Sequence, residues 1–163
     1  MSVGNELHGT GAYLSERQLL AWTQFLDASR LLEERLARHL ADDHDMTHGE
    51  YEVLVRLDGA GGAMRIGEIA DECVAPRPRI SQTLKRVEAR GWITRRADET
   101  DGRGSIAELT PEGDAALVAS AAEHADIIAK HLLEPLSDAE LDALGAMMKR
   151  VAIGLRSVRG MHV

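Results

Sequence analysis

Between Pro76 and Gly104 the chain carries eight cations, Arg77, Arg79, Lys85, Arg86, Arg90, Arg95, Arg96 and Arg103, against four anions, Glu88, Asp98, Glu99 and Asp101. Their spacing suggests what they do. On a helix, positions 79, 82 and 86 share one face, and 85 lies beside it. Arg and Gln present forked donors and acceptors that match base edges in the major groove of B-DNA, which admits an α-helix. Arg79 and Gln82 are therefore candidate base readers, and Arg77 is placed for a base edge or a phosphate. Lys85, Arg86 and Arg90 are candidate phosphate contacts, which fix register without specifying sequence. Ser81 is a further candidate donor to phosphate. Arg103 stands between Gly102 and Gly104. There it is free to extend into a minor groove, where A·T tracts concentrate negative potential. Asp101 is positioned to hold Arg103 by a charge-assisted bond.

The whole chain of 163 residues has a net charge of −8, which by itself argues against a nucleic-acid partner. The basic segment alone is +4, which leaves −12 for the remainder. Exposed charges are screened beyond about 8 Å at physiological salt, so a local basic face on an acidic body remains able to bind a polyanion. Three other classes find little support. No apolar run approaches the roughly 18 residues of a membrane span. The first residues lack the basic and apolar regions of a secretory signal. Gly59-Ala60-Gly61-Gly62 lacks the lysine of a phosphate-binding loop, and no nucleophile, base and acid fall together, so no enzyme and no cofactor are expected. A single cysteine, Cys73, fits a reducing cytoplasm.

The elements that position the basic residues follow from spacing and caps. Residues 1–14 form a flexible N-terminus. Ser15 and Gln18 make a capping box for a long helix to about 42, with Leu19, Trp22, Leu26, Leu36 and Leu40 on its apolar face. The polar run 42–45 breaks it. Thr47 and Glu50 cap a second helix over about 49–57, with Tyr51, Leu54 and Val55 expected to face inward. Met64 and Arg65 can add a short strand, and 66–73 reads as a third helix. Pro76 and Pro78 are tolerated only at a helix entrance, so a fourth helix begins there and runs to Ala89 before Gly91. Strands at 93–97 and 105–109 flank a polar turn. Thr110 and Pro111 open an Ala-rich helix to about 133, and Ser137 with Glu140 caps a last helix to about 158. Leu141, Leu144, Met148, Val151 and Leu155 give that last helix a seam close to a coiled coil. The expected fold is mainly α with a small β-hairpin, a winged helix-turn-helix.

The run Gly67-Glu68-Ile69-Ala70, then Ser81-Gln82-Thr83-Leu84-Lys85-Arg86-Val87-Glu88-Ala89-Arg90-Gly91-Trp92-Ile93, Asp101 and Arg103, and Leu109-Thr110-Pro111 with Gly113 resembles the MarR (multiple antibiotic resistance regulator) family. The resemblance implies a dimeric transcriptional regulator on a pseudo-palindromic, inverted-repeat operator. It divides the chain into residues 15–45 as a first dimerisation helix, 46–110 as the winged DNA-binding region, and 111–163 as C-terminal dimerisation helices. It also implies repression relieved by a small molecule, often an aromatic anion. Trp22 offers a stacking wall for such an effector, with Leu26, Arg30, Tyr51 and Leu117 as companions.

Two other classes compete with this reading. One is a non-specific architectural DNA-binding protein, and the other a protein-interaction module whose basic face is incidental. His39, His44 and His48 gather near one helix junction with Asp42, Asp43 and Asp45, but at no closed metal-site spacing. No metal site is assigned, and a metal-responsive regulator of the same fold is the minor alternative. Cys73 lies on the apolar face of the third helix and reads as a small buried residue.

Overall fold

The computed structural model describes residues 13–98 and 104–159. Ser15 caps α1 (Glu16–His44) in a reciprocal box with Gln18. The helix runs through the polar stretch expected to break it and ends only at Asp45, in the left-handed region with φ 48°. Short-range caps make this continuation inexpensive: Met46 N–H donates to the Leu40 carbonyl at 2.9 Å. Thr47 then caps α2 (His48–Gly59), again reciprocally with Glu50. The buried face of α2 is Glu50, Val53, Leu54 and Leu57, while Tyr51 is half-buried and Val55 is exposed. The expectation for Val55 was wrong because the i, i+3, i+4, i+7 stripe starts at Glu50.

β1 (Ala63–Arg65) leads directly into α3 (Ile66–Glu72). The turn after α3 contains Val74 at φ 48°, an uncommon conformation for a β-branched residue. α4 (Arg77–Ala89) then begins with Pro76 as N-cap and Pro78 in its first turn. β2 (Ile93–Ala97) and β3 (Ser105–Leu109) pair antiparallel, with Arg95 opposite Ala107, and β1 adds to the other edge of β3. Thr110 caps α5 (Pro111–Ile128). α5 passes into one π turn, Ala129–Leu133, rather than continuing as α-helix to 133. An α-helical register there would bring the Pro135 ring against the carbonyl of residue 131, and the wider turn avoids that clash. α6 (Asp138–Arg159) closes the order, its first turn capped by Ser137 and Glu140.

One core holds the winged unit together. Leu54, Leu57 and Val53 of α2, Ile69 of α3, Leu84 and Val87 of α4, and Ile93 of β2 are all essentially inaccessible, with Leu40 from α1 and Leu117 from α5 closing the ends. α5 is clamped to this unit at its start. Thr110 Oγ1 donates to the Gly91 carbonyl at 2.7 Å, and a Cβ on Gly113 would stand 2.1 Å from the Trp92 carbonyl oxygen.

The terminal helices are covered far less. On α1 only Leu36, His39 and Leu40 are buried, while Trp22 and Phe25 stack at 6.1 Å in the open. No described side chain of α6 is buried, and Leu155 is 67% exposed. None of the described helices is long and apolar enough to cross a membrane.

Candidate nucleic-acid interface

The basic helix is exposed because its apolar residues point the other way. Ile80, Thr83, Leu84 and Val87 bury one side of α4 against α2, α3 and the sheet. Arg77, Arg79, Ser81, Gln82, Lys85, Arg86 and Arg90 are all on the outside, as the spacing predicts. Gln82 and Lys85 project from the middle of that outer face, opposite the buried stripe. Arg79 and Arg86 border it on the side of Thr83, whose hydroxyl donates back to the Arg79 carbonyl at 3.1 Å.

The cations divide into two groups. Among the described residues no carboxylate lies within ion-pair distance of Arg77, Arg79 or Lys85. Arg86 differs: its Nε donates to Glu50 Oε1 at 3.0 Å, and the Glu50 side chain is only 4% exposed. Arg90 donates to the Asp45 carbonyl, approaches Asp45 Oδ2 at 3.3 Å and Glu50 Oε2 at 4.0 Å, and lays its guanidinium 3.8 Å over the Trp92 ring. Arg95 pairs with Glu88 at 3.0 Å, and Arg96 with Glu108 at 2.5 Å. Arg86 and Arg90 thus tie α4 to the α1–α2 junction, a role that the sequence did not disclose. Glu50 was legible only as a capping-box residue, and that function hid its second one.

At the base of the wing, Arg65 from β1 meets Asp98 at 2.7 Å, and Asp98 N–H donates to the Gly104 carbonyl at 3.0 Å. Asp98 is buried. Asp101 and Arg103, assigned to the wing tip, lie outside the described residues.

The five effector residues are not brought together within one chain. Tyr51 and Leu117 line a cleft of about 230 Å³ between α2 and α5, with Val55, Asp58, Val118 and Ala121. Trp22, Leu26 and Arg30 are not among its lining residues. α1 runs antiparallel to α5, with His39 near Glu123 and Leu31 near Leu132. Trp22 therefore stands roughly 35 Å along the helix axis from the level of Leu117, at 1.5 Å per residue.

The end of α1 and the middle of α5 instead bring histidines together. His39 and His44 rings are 5.0 Å apart, and His124 lies 6.2 Å from His39, 6.1 Å from His48 and 4.2 Å from the Tyr51 ring. Burial, then the neighbouring His48 and His39, push the His124 pKa down to about 4. Burial also raises the Tyr51 pKa. Glu123 and His124 were missed because nothing local in the sequence links them to a junction about eighty residues earlier. Cys73 is buried, and burial followed by the nearby Glu52 pushes its thiol up to about 11. A thiol held protonated in this way is a poor nucleophile.

A three-stranded wing beside a helix pair, with an exposed basic second helix, defines the winged helix-turn-helix class. The MarR family model matches residues 44–104. AbsC, a MarR family transcriptional regulator from Streptomyces coelicolor, superposes with a TM-score of 0.86 at 28% identity, covering 90% of this chain and 99% of that one. Sco3205, a MarR family transcriptional regulator from the same organism solved in complex with DNA, gives 0.85 at 33% identity, covering 88% and 94%. The transcriptional regulator PecS of Dickeya dadantii (strain 3937) is 28% identical over 123 residues, 74% of each chain. The chain belongs to the MarR family of transcriptional regulators.

Proposed function

We propose that the chain works as a homodimer in which α4 of each copy enters the major groove over one half of an inverted-repeat operator. The observation that carries this reading is the division of cations on α4. Among the described residues, Arg77, Arg79 and Lys85 stand exposed without a carboxylate partner, while the other described cations of the basic segment are all paired. An unpaired surface cation gives up no internal contact when it meets a phosphate or a base. Arg79 and Gln82 then read base edges, and Arg77, Ser81 and Lys85 contact phosphate. Arg86 and Arg90 reach phosphate only by loosening Glu50 and Asp45, so their first role is to hold the helix. Arg103 extends the contact into the minor groove. The exposed apolar residues of α1 and α6 supply the dimer surface.

The regulator acts as a repressor released by a small aromatic anion, an expectation that rests on the family resemblance. The cleft at Tyr51 and Leu117 is the part of the effector site that one chain provides. A thermal-shift screen with small aromatic acids tests this, since a ligand of the folded state raises stability by mass action.

Binding to duplexes of varied sequence, measured against salt, tests the DNA reading. Affinity should fall steeply with salt through counterion release, and inverted repeats should compete better than random duplex. Equal binding to all sequences would instead identify an architectural protein, and no binding would leave the basic face incidental.

A further inference from the structure

The histidine cluster at the end of α1 and the middle of α5 is separate from the basic face of α4, and its polar atoms are poorly satisfied. His39 Nε2, His44 Nε2 and His124 Nδ1 are all buried without a hydrogen-bond partner. A buried polar atom left unpaired is costly, so three orphans around one junction call for a polar occupant. The His39 side chain is only 4% exposed. Its Nδ1 lies 3.1 Å from Asp43 Oδ2 and 3.7 Å from Glu123 Oε2. One donor atom from each of His39, His44 and Glu123 falls within 4.8 Å of the other two.

We propose that His39, His44 and Glu123 form a binding site for one divalent transition-metal ion of the zinc class. Two imidazoles and a carboxylate are the donor set that such ions take, whereas calcium and magnesium prefer oxygen alone. Zinc bonds to nitrogen and oxygen of about 2.0–2.1 Å place tetrahedral ligands about 3.3 Å apart. Closing from 4.8 Å needs only side-chain rotation, and Glu123, 62% exposed, is free to make it. Its exposure also gives the ion a route in from solvent. Asp43, against His39 Nδ1, orients the ring as carboxylates commonly do for metal-bound histidines. Three protein ligands leave a fourth position to water. The ion joins α1 to α5 directly beside Asp45 and α2, the segment that holds Arg90 and Arg86.

The site is measured without DNA, so its failure and the failure of the operator reading are separable. The full chain, stripped with a chelator, is titrated with zinc sulfate by calorimetry and with cobalt(II) by visible absorption. The expected result is one ion per chain, with cobalt bands of a low-coordinate site. His44→Gln and Glu123→Gln should each weaken binding at least tenfold while circular dichroism is unchanged, and Asp43→Asn should weaken it less. Absence of saturable binding at one ion per chain would overturn the proposal. So would binding that persists undiminished in a protein carrying both His44→Gln and Glu123→Gln, which would assign the ion to other surface histidines and leave water as the occupant of the cluster.

Discussion

The two ends of α4 carry the same kind of side chain in opposite circumstances. Toward the N-terminus, Arg77 and Arg79 extend from an exposed face with no carboxylate of the described residues in reach, and Lys85 joins them from the middle of that face. Toward the C-terminus, Arg86 and Arg90 are bound to Glu50 and Asp45, and Arg90 is also stacked on Trp92. Charge by itself therefore does not identify a nucleic-acid contact. A cation whose partner is a nearly buried carboxylate such as Glu50 is committed, because leaving that carboxylate alone costs more than a surface ion pair is worth. One helix thus has an end whose cations are held and an end whose cations are left exposed.

Four substitutions would break or sharpen that contrast. Arg86→Ala should have the largest effect, a loss of about 2–3 kcal/mol of folding stability from removing a charge-assisted bond to a nearly buried carboxylate, measured by denaturant unfolding. That carboxylate keeps its bond from the Thr47 N–H and has Arg90 at 4.0 Å. If stability is unchanged and only DNA affinity falls, the two ends of α4 are equivalent after all. Gln82→Ala should leave stability intact and remove about 1–3 kcal/mol of discrimination at one base-pair position, read by competition among operator variants. A loss of the same size on every sequence would move Gln82 to the phosphate class. Lys85→Ala should weaken binding uniformly and lower the slope of log affinity against log salt by about 1. Val74→Asn should have the smallest effect, a gain of about 1 kcal/mol in stability, because asparagine tolerates the left-handed conformation better than a β-branched residue. An unchanged melting temperature would show that the turn into α4 holds no strain.

What could be read in advance depended on how far apart the interacting residues lie. The start of α4 was legible because Pro76 and Pro78 permit only one kind of position. The starts of α1, α2 and α6 were legible from capping residues three apart. The division of the cations was not, since Glu50 and Arg86 are separated by 36 positions and each already had a sufficient local explanation. The histidine site was half-visible: three of its neighbours are close in sequence, but Glu123 and His124 reach it only because α5 packs antiparallel on α1. Trp22 and Tyr51 are kept apart within one chain for the same geometric reason. Trp22 sits on α1 far from the level of Leu117 on α5, and no sequence pattern reports how far two packed helices overlap.

Asp45 has a mechanical consequence. It is a single left-handed residue separating a helix of 29 residues from the unit that carries α4, and it also grips Arg90 through its carbonyl. At 1.5 Å per residue, α1 is an arm of about 43 Å. Leu36 and Leu40 anchor the near end of that arm beside the Arg90 grip, while its far end, with Trp22 and Phe25, stands in the open. One continuous helix therefore links an exposed apolar surface to the segment that holds α4.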